Sequence, residues 1–274
     1  MFSRRHVLKQ LVALGAIAGF GSLPGARAAF AAGEPGAAAR YHMPEESSPQ
    51  ALVWVAFGAT SEIWGRHYKE VQATIGRLVQ AMVPYTRVNV LCHEDDEALA
   101  RQLCGERNTH FVHAEMDDIW LPGIKGRDIT DAHVDFYARF VRPGVVVINM
   151  DNDPDSYDYK VTRQHLAILQ QATDADGNKL ELHQLPPPLG GRDNKFSRSP
   201  DFAAGYINYL PINGAVIAPQ FGDARADRHC RDLLARLYPG RKIVQTDIDP
   251  VAAGGGGIHC ITLPDLTRRP PLAV

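Results

Sequence analysis

The alternation of apolar and polar residues along the chain predicts short strands separated by helices. Residues 68–82 carry apolar side chains at helical spacing, and helices are also expected at residues 96–103, 161–172 and 226–237. Short apolar or alternating runs predict strands at residues 51–57, 88–92, 110–113, 144–150, 180–185, 204–209, 214–219 and 242–246. The runs at 204–209 and 214–219 are expected to pair around Asn213 and Gly214. This pattern indicates an α/β fold and leaves the order of the strands open.

The first 28 residues differ from the rest of the chain. Arg4 and Arg5 precede a short apolar run at residues 11–20, and a small-x-small ending follows at residues 26–28. This pattern predicts a twin-arginine export signal, and hence a periplasmic or secreted protein. An N-terminal membrane anchor or a packed first helix is the alternative, although glycines shorten the apolar run. Residues 29–40 are expected to be a linker, and residues 41–274 a single domain.

Composition and charge exclude several classes of protein. The chain has 274 residues, of which 45% are hydrophobic, so it is neither disordered nor collagenous. Four cysteines are too few for a disulfide scaffold, although an oxidising compartment would permit pairing among Cys92, Cys104 and Cys230. Loss of residues 1–28 removes four basic residues and no acid, which lowers the net charge from −2 to −6. We therefore expect no nucleic-acid partner and, in the mature protein, no membrane.

A glycine-rich segment ends at a candidate nucleophile. The four consecutive residues 254–257 are glycines, and they precede Ile-His-Cys rather than the start of a helix, which is a poor nucleotide fingerprint. Glycines such as Gly256 and Gly257 let the backbone approach a ligand closely. Cys260 follows directly and could act as a nucleophile once its pKa is lowered. The alternative is a buried structural cysteine.

His133 and Asp135 form a second candidate pair. On a strand, alternate side chains share a side, so the His-x-Asp spacing would place both groups together. A histidine beside a carboxylate can move protons near neutral pH. The alternatives are an ordinary surface histidine, or a metal site that also uses His259, which no tight ligand spacing supports.

A calcium loop is a further alternative for the acidic stretch after residue 150. Its three carboxylates would come from Asp151, Asp153 and Asp155. The glycine and the terminal glutamate that such a loop requires are missing from this stretch.

Four motifs together resemble the agmatine deiminase family. They are MPEE at 43–46, DITDAHVDFYARF at 128–140, INGAVIAPQFGD at 212–223 and GGGGIHC at 254–260. These enzymes are related to bacterial peptidyl-arginine deiminases within the guanidine-modifying superfamily, and the resemblance runs from about residue 41 to residue 263. It implies a pentein-type α/β propeller, a fivefold pseudo-symmetric ring of ββαβ units with a central active site.

The resemblance also implies a chemistry for the candidate residues. Cys260 would attack the guanidinium carbon, and His133 would protonate the departing ammonia and then activate water to resolve the thiouronium. Asp135 would hold the guanidinium nitrogens, since a planar cation matches a carboxylate. Agmatine would give N-carbamoylputrescine, with free or peptidyl arginine as other substrates. The family needs no metal or organic cofactor, and a homo-oligomer is left open.

The chain departs from the family pattern after Trp120. The family has a Trp-x-Arg-Asp-x-Gly-Pro motif, which supplies a second carboxylate clamp, and later a Glu-Gly-Gly motif; both are absent here. In this chain Trp120 is followed directly by Leu-Pro-Gly, which in the family follows a second tryptophan further along the sequence. This junction predicts an internal deletion of about one blade of the propeller. Trp120 and Asp118 at this junction are then expected to contact substrate, and Asp128 or Asp131 are other replacements for the clamp. The alternative function is an impaired remnant that at most binds guanidines.

Overall fold

The computed structural model describes residues 45–59, 61–113, 133–156, 158–174 and 177–266, all within one compact unit, residues 44–274. The strands in these ranges are β1 (Gln50–Ala56), β2 (Arg87–Cys92), β3 (Thr109–His113), β4 (Ala138–Arg142), β5 (Val145–Asn149), β6 (Glu181–Leu185), β7 (Leu210–Ile212), β8 (Ala215–Gln220), β9 (Lys242–Asp247) and β10 (Thr262–Leu266). The helices are α1 (Ser61–Trp64), α2 (Tyr68–Met82), α3 (Glu97–Cys104), α4 (Asp158–Gln171), α5 (Ala224–Leu237) and α6 (Asp249–Ala252). Single 3-10 turns cover Gly65–His67, Glu94–Asp96, Val134–Phe136 and His259–Ile261.

A unit of two strands, a helix and a third strand recurs in the three sheets of the described residues. Strand β4 pairs antiparallel with β5, and β5 pairs parallel with β6 after helix α4. Strands β7, β8 and β9 repeat this arrangement around helix α5. In the remaining sheet β10 pairs antiparallel with β1, and β1 pairs parallel with β2 after helix α2. Parallel neighbours need such a crossover, so each helix covers its own sheet.

The sheet of β1 joins two segments that are distant in the sequence. Its order is β10–β1–β2–β3, with β3 parallel to β2, so a strand near residue 264 closes a sheet that starts near residue 50. The turn that carries Cys260 leads directly into β10, and its position is therefore fixed by this pairing.

The predicted apolar stripe of α2 lies in the core. Its bounds match the predicted helix 68–82, and the stripe is buried, at Val71, Ile75, Leu78, Val79 and Met82. The central strands β5 and β8 are buried along nearly their whole length, as expected for strands that are covered on both faces. None of the helices within the described ranges has the length and apolar character that crossing a membrane requires.

The predicted strand at residues 204–209 is wrong. Residues 204–209 form no strand, and β7 is instead the three-residue segment after them, although the turn at Asn213 and Gly214 (φ +70°) is as predicted. Residues 205–209 are all buried, so they lack the alternation of buried and exposed side chains that a half-buried strand shows. The hydroxyl of Tyr206 donates to Asp227 Oδ1 at 2.7 Å, and Tyr209 shares a hydrogen bond with Tyr238.

The His-x-Asp motif also does not lie on a strand. His133 is extended (φ −67°, ψ 114°), but residues 134–136 form a 3-10 turn. The N–H of Phe136 donates to the carbonyl of His133 at 3.0 Å, which closes the turn. The alternation argument therefore fails for His133 and Asp135, because a 3-10 turn rotates successive side chains by about 120°.

Candidate active site

Cys260 is the accessible thiol of the described part of the chain. It lies in the 3-10 turn His259–Ile261, at the end of the glycine-rich segment that follows α6. Gly255 in this segment has φ +79°, a conformation that glycine adopts without strain. Cys260 is exposed, whereas the other cysteines are buried, namely Cys92, Cys104 and Cys230. The interpretation of Cys260 as a buried structural cysteine is therefore wrong.

Asn208 is fully buried and joins the cysteine turn to Asp135. Its Nδ2 donates to Asp135 Oδ2 at 2.8 Å and to Cys260 Sγ at 3.3 Å, and its Oδ1 accepts from the backbone N–H of His259 at 2.8 Å. A Cβ at position 257 would lie 2.2 Å from Asn208 Oδ1, so only glycine lets the amide come this close. Asn208 thereby fixes the cysteine turn against Asp135.

The donors around Asp135 converge on one carboxylate oxygen. Oδ2 accepts from Asn208 Nδ2 at 2.8 Å, faces His259 Nδ1 at 2.8 Å and accepts from Cys260 Sγ at 3.4 Å. Oδ1 accepts no hydrogen bond from the described residues. Within the described residues, one oxygen of this largely buried carboxylate thus receives all of its hydrogen bonds.

His259 lies between two carboxylates. Its Nδ1 faces Asp135 Oδ2, and its Nε2 faces Glu46 Oε1, each at 2.8 Å. Glu46 in turn accepts a hydrogen bond from Arg139 Nη2. The Arg139 guanidinium is buried, donates to the carbonyl of Tyr209 and lies 4.6 Å from the centre of the Tyr209 ring.

These contacts set the protonation of the site. Burial raises the pKa of Glu46, but the hydrogen bond to His259 and the charge of Arg139 outweigh this effect and bring the pKa down to about 2. Burial likewise raises the pKa of Asp135, and the contacts with His259 outweigh it and bring the pKa to about 2. Hydrogen bonds to Asp135 and Glu46 raise the pKa of His259 above its usual 6.5.

The pKa of the Cys260 thiol is raised, whereas the pKa of a reactive cysteine is usually lowered. Desolvation of the thiol by the surrounding protein and the charge of Asp135 raise the pKa of Cys260 to about 11, although the residue is exposed. The protein on its own therefore keeps the thiol protonated at neutral pH. A cation bound beside the sulfur would reverse this, because it stabilises the thiolate.

The structure brings together only part of the predicted site. Cys260 and Asp135 are in contact, and Gly256 and Gly257 belong to the turn that leads to the thiol. His133 lies two residues before Asp135, is exposed, and its ring makes no hydrogen bond within the described residues. The other two predicted contacts, Asp118 and Trp120, lie outside the described residues, as do Asp128 and Asp131.

Three side chains of the site were not predicted from the sequence as site residues, namely Glu46, Arg139 and Asn208. The sequence pattern indicates a role for His259 only as a metal ligand. Glu46 belongs to the MPEE motif and directly contacts His259, so the motif itself was a usable signal. No sequence signal marked Asn208, because its segment has the composition of an ordinary buried strand.

The metal alternatives find no support in the described residues, which contain no group of three or more potential ligands placed to hold an ion. In the acidic stretch, Asp151 Oδ1 accepts from the N–H of Asp153 at 2.9 Å, and Asp153 Oδ1 accepts from the N–H of Asp155 at 3.0 Å. These carboxylates hold the backbone turn.

Gly257→Ala should destabilise the protein, because the new Cβ would overlap Asn208 Oδ1. We expect the free energy of unfolding to fall by about 1–3 kcal/mol, measured by urea denaturation. Gly256→Ala is the matched control, since its Cβ would meet only Val251 at an ordinary 3.9 Å. Equal stability of the two variants would contradict the tight packing of Asn208 on the turn.

Comparison with known sequences identifies similar proteins along most of the chain. A family model described as Porphyromonas-type peptidyl-arginine deiminase matches residues 42–122 and 119–264. A Streptomyces coelicolor protein provisionally named agmatine deiminase is 34% identical over 237 residues, which cover 77% of this chain and 69% of that protein. Agmatine deiminase of Pseudomonas aeruginosa is 34% identical over 181 residues, covering 57% of this chain and 49% of that protein. The chain thus spans only about half of the Pseudomonas enzyme.

Solved structures show the same fold. Agmatine deiminase of Enterococcus faecalis superposes with a TM-score of 0.72 at 20% identity, over 83% of this chain and 96% of that one. Agmatine deiminase of C. jejuni gives a TM-score of 0.64 at 14% identity, over 82% and 96% of the two chains. The predicted pentein-type α/β fold is thereby confirmed, and the absence of one blade stays a prediction.

Proposed function

The chain belongs to the Porphyromonas-type peptidyl-arginine deiminase family, and we propose that it hydrolyses the guanidinium group of a small cationic substrate. Agmatine is the first candidate, because relatives that match the chain bear the name agmatine deiminase. The observation that carries the proposal is the contact of the accessible thiol of Cys260 with the carboxylate of Asp135, at 3.4 Å. A guanidinium held by that carboxylate lies next to the sulfur that attacks it.

Binding and activation of the nucleophile are coupled in this proposal. In this proposal Oδ1 of Asp135, which has no hydrogen-bond partner among the described residues, accepts an N–H of the guanidinium in a charge-assisted hydrogen bond. The bound cation then offsets the burial and the Asp135 charge that raise the pKa of Cys260 to about 11. Substrate thereby favours the thiolate at the place where it is needed.

The reaction then proceeds through a covalent intermediate. The thiolate of Cys260 forms a C–S bond to the guanidinium carbon, and the C–N bond breaks as His133 supplies the proton with which ammonia leaves. His133 then takes a proton from water, whose oxygen attacks the same carbon, and the C–S bond breaks to release the ureido product. His133 suits this role better than His259, because both ring nitrogens of His259 face carboxylates.

An impaired remnant is the competing proposal, and it depends on the internal deletion. One observation supports such a deletion: the family model matches in two separate stretches, residues 42–122 and 119–264, which meet at residues 119–122. In the active-enzyme proposal a carboxylate near this junction, with Asp118 first, acts as the second clamp on the guanidinium.

The experiment that separates the two proposals is ammonia release by the purified chain from agmatine, arginine and an arginine-containing peptide. Release above the background of Cys260→Ala supports the deiminase, and the preferred compound identifies the substrate. No release from any of the three, together with a cooperative thermal transition, supports a folded remnant.

The reactivity of the thiol gives a separate prediction. Iodoacetamide should alkylate Cys260 slowly at neutral pH, with a rate that rises about tenfold per pH unit up to about pH 10. A chloromethyl reagent that carries an amidinium should react faster at neutral pH, since its cation lowers the pKa of the thiol. Mass spectrometry measures both rates, and Cys260→Ala should take up no label because the other three cysteines are buried. A rate that levels off near pH 7 would contradict substrate-assisted activation.

We also propose that the chain is exported by the twin-arginine route. The support is the paired arginines, the short apolar run and the small-x-small ending within residues 1–28. Fusion of residues 1–40 to a reporter protein, in cells with and without the twin-arginine translocase, tests this proposal.

A further inference from the structure

Four charged side chains form a row behind the candidate nucleophile. Arg139 contacts Glu46, Glu46 contacts one nitrogen of His259, and Asp135 contacts the other nitrogen. Cys260 lies beyond Asp135, at 3.4 Å from the same carboxylate oxygen. The row alternates in sign, and its members come from three separate parts of the sequence.

The geometry favours a proton on each ring nitrogen of His259. A carboxylate oxygen lies 2.8 Å from Nδ1 and another lies 2.8 Å from Nε2. A neutral imidazole donates from one nitrogen only, and its lone pair would then face a carboxylate. Among the described residues, the groups that face His259 are Asp135, Glu46, the more distant Arg139 and the neighbouring Cys260. The hydrogen bonds to the two carboxylates outweigh the other effects and raise the pKa of His259.

The outer end of the row is anchored in the core. The side chain of Arg139 is only 6% exposed, whereas that of Glu46 is 42% exposed. Arg139 donates to the backbone carbonyls of Tyr209 and Ile207 and packs on the Tyr209 ring. Glu46 is therefore held by a fixed partner, although it lies near the start of the described residues.

We propose that Glu46 and His259 are positioning residues, and that His259, as an imidazolium between Glu46 and Asp135, holds the Asp135 carboxylate in the orientation that a guanidinium requires. This inference rests on the proposed deiminase function. The bridge occupies Oδ2 of Asp135, and Oδ1 accepts no hydrogen bond from the described residues. Loss of the charge on Glu46 removes the carboxylate that stabilises the Nε2 proton of His259, so His259 should then lose this proton at a lower pH.

The first test does not depend on activity. In protein labelled with ¹⁵N-histidine, the resonance of His259 is assigned by its disappearance in His259→Gln, and its protonation is followed from pH 5 to 9. We expect a wild-type midpoint above the usual 6.5 and a lower midpoint in Glu46→Gln. Glu45→Gln is the matched control, because it removes the same charge from the adjacent residue, and its midpoint should equal that of wild type.

A wild-type midpoint at or below 6.5 would overturn the inference, and this measurement stands even if Glu46→Gln does not fold. An unchanged midpoint in a folded Glu46→Gln would overturn it as well. If wild type releases no ammonia, the proposed function fails, while the titration still decides whether the bridge exists.

The second test separates positioning from a merely structural role. Between the two measured midpoints, kcat/KM of Glu46→Gln should be about tenfold below wild type, which corresponds to about 1.4 kcal/mol. At pH values below both midpoints, where His259 is charged in both proteins, kcat/KM should agree within about threefold. A loss of equal size at every pH would mean that Glu46 only stabilises the fold, and would overturn the proposal.

Discussion

Cys260→Ala is expected to abolish ammonia release from agmatine. The sulfur is the atom that would form the covalent bond to the guanidinium carbon, and the other cysteines of the described residues are buried and cannot replace it. Removal of the nucleophile from a comparable covalent enzyme lowers kcat by a factor of about 10⁶. A coupled ammonia assay over hours of incubation therefore should find no product above the uncatalysed background.

The control for this variant is its stability. Because Cys260 is exposed, its substitution should leave the thermal midpoint close to that of wild type, so a loss of activity cannot be attributed to unfolding. Cys260→Ser keeps the shape of the side chain and should be equally inactive, since a hydroxyl has a far higher pKa than a thiol. Ammonia release by either variant at the wild-type rate would exclude covalent catalysis by Cys260.

The local pattern of the sequence was sufficient for most of the fold. Helix α2 was predicted with its observed bounds, because five apolar residues at helical spacing lie in the core. Strand β4 was not predicted, because it buries Arg139 and leaves Phe140 60% exposed, the reverse of the usual preference. That arrangement depends on Glu46, which lies 93 residues earlier in the sequence, and a local pattern cannot report such a distant partner.

The same limit explains which parts of the site were found. Cys260 was identified because four adjacent glycines mark a place where the backbone can approach a ligand, which is local information. Asn208 and Glu46 reach the cysteine turn across 52 and 213 residues, so only the folded chain shows their roles. His133 and Asp135 were predicted as a pair from a spacing that assumes a strand, whereas the structure has a 3-10 turn at residues 134–136, so the prediction for His133 stays open.

Asp135→Asn is expected to lower kcat/KM by a factor of about 100 or more. The substitution keeps the size of the side chain but removes the charge that holds the guanidinium, and a hydrogen bond to a charged group contributes about 1.5–3 kcal/mol. It also removes one of the two partners that keep His259 protonated. The weaker hold on the guanidinium and the weaker hold on His259 both affect the capture of substrate, so the loss should appear in kcat/KM measured by ammonia release. Asp232→Asn, which removes an exposed helical charge, is the control and should retain wild-type activity.

The same variant should be less stable, by an amount that depends on pH. Asp135 has a pKa of about 2 in the folded protein against an ordinary 3.8, so its contribution is present above pH 3.8 and is lost as the pH falls toward 2. His259 has a raised pKa, so its contribution is present below 6.5 and is lost as the pH rises through the folded value. Since one ion pair underlies both shifts, Asp135→Asn should destabilise the protein most between about pH 4 and 6.5. Urea denaturation at pH 5.5 and pH 9 measures this difference, and a destabilisation that is larger at pH 9 would contradict the charged pair.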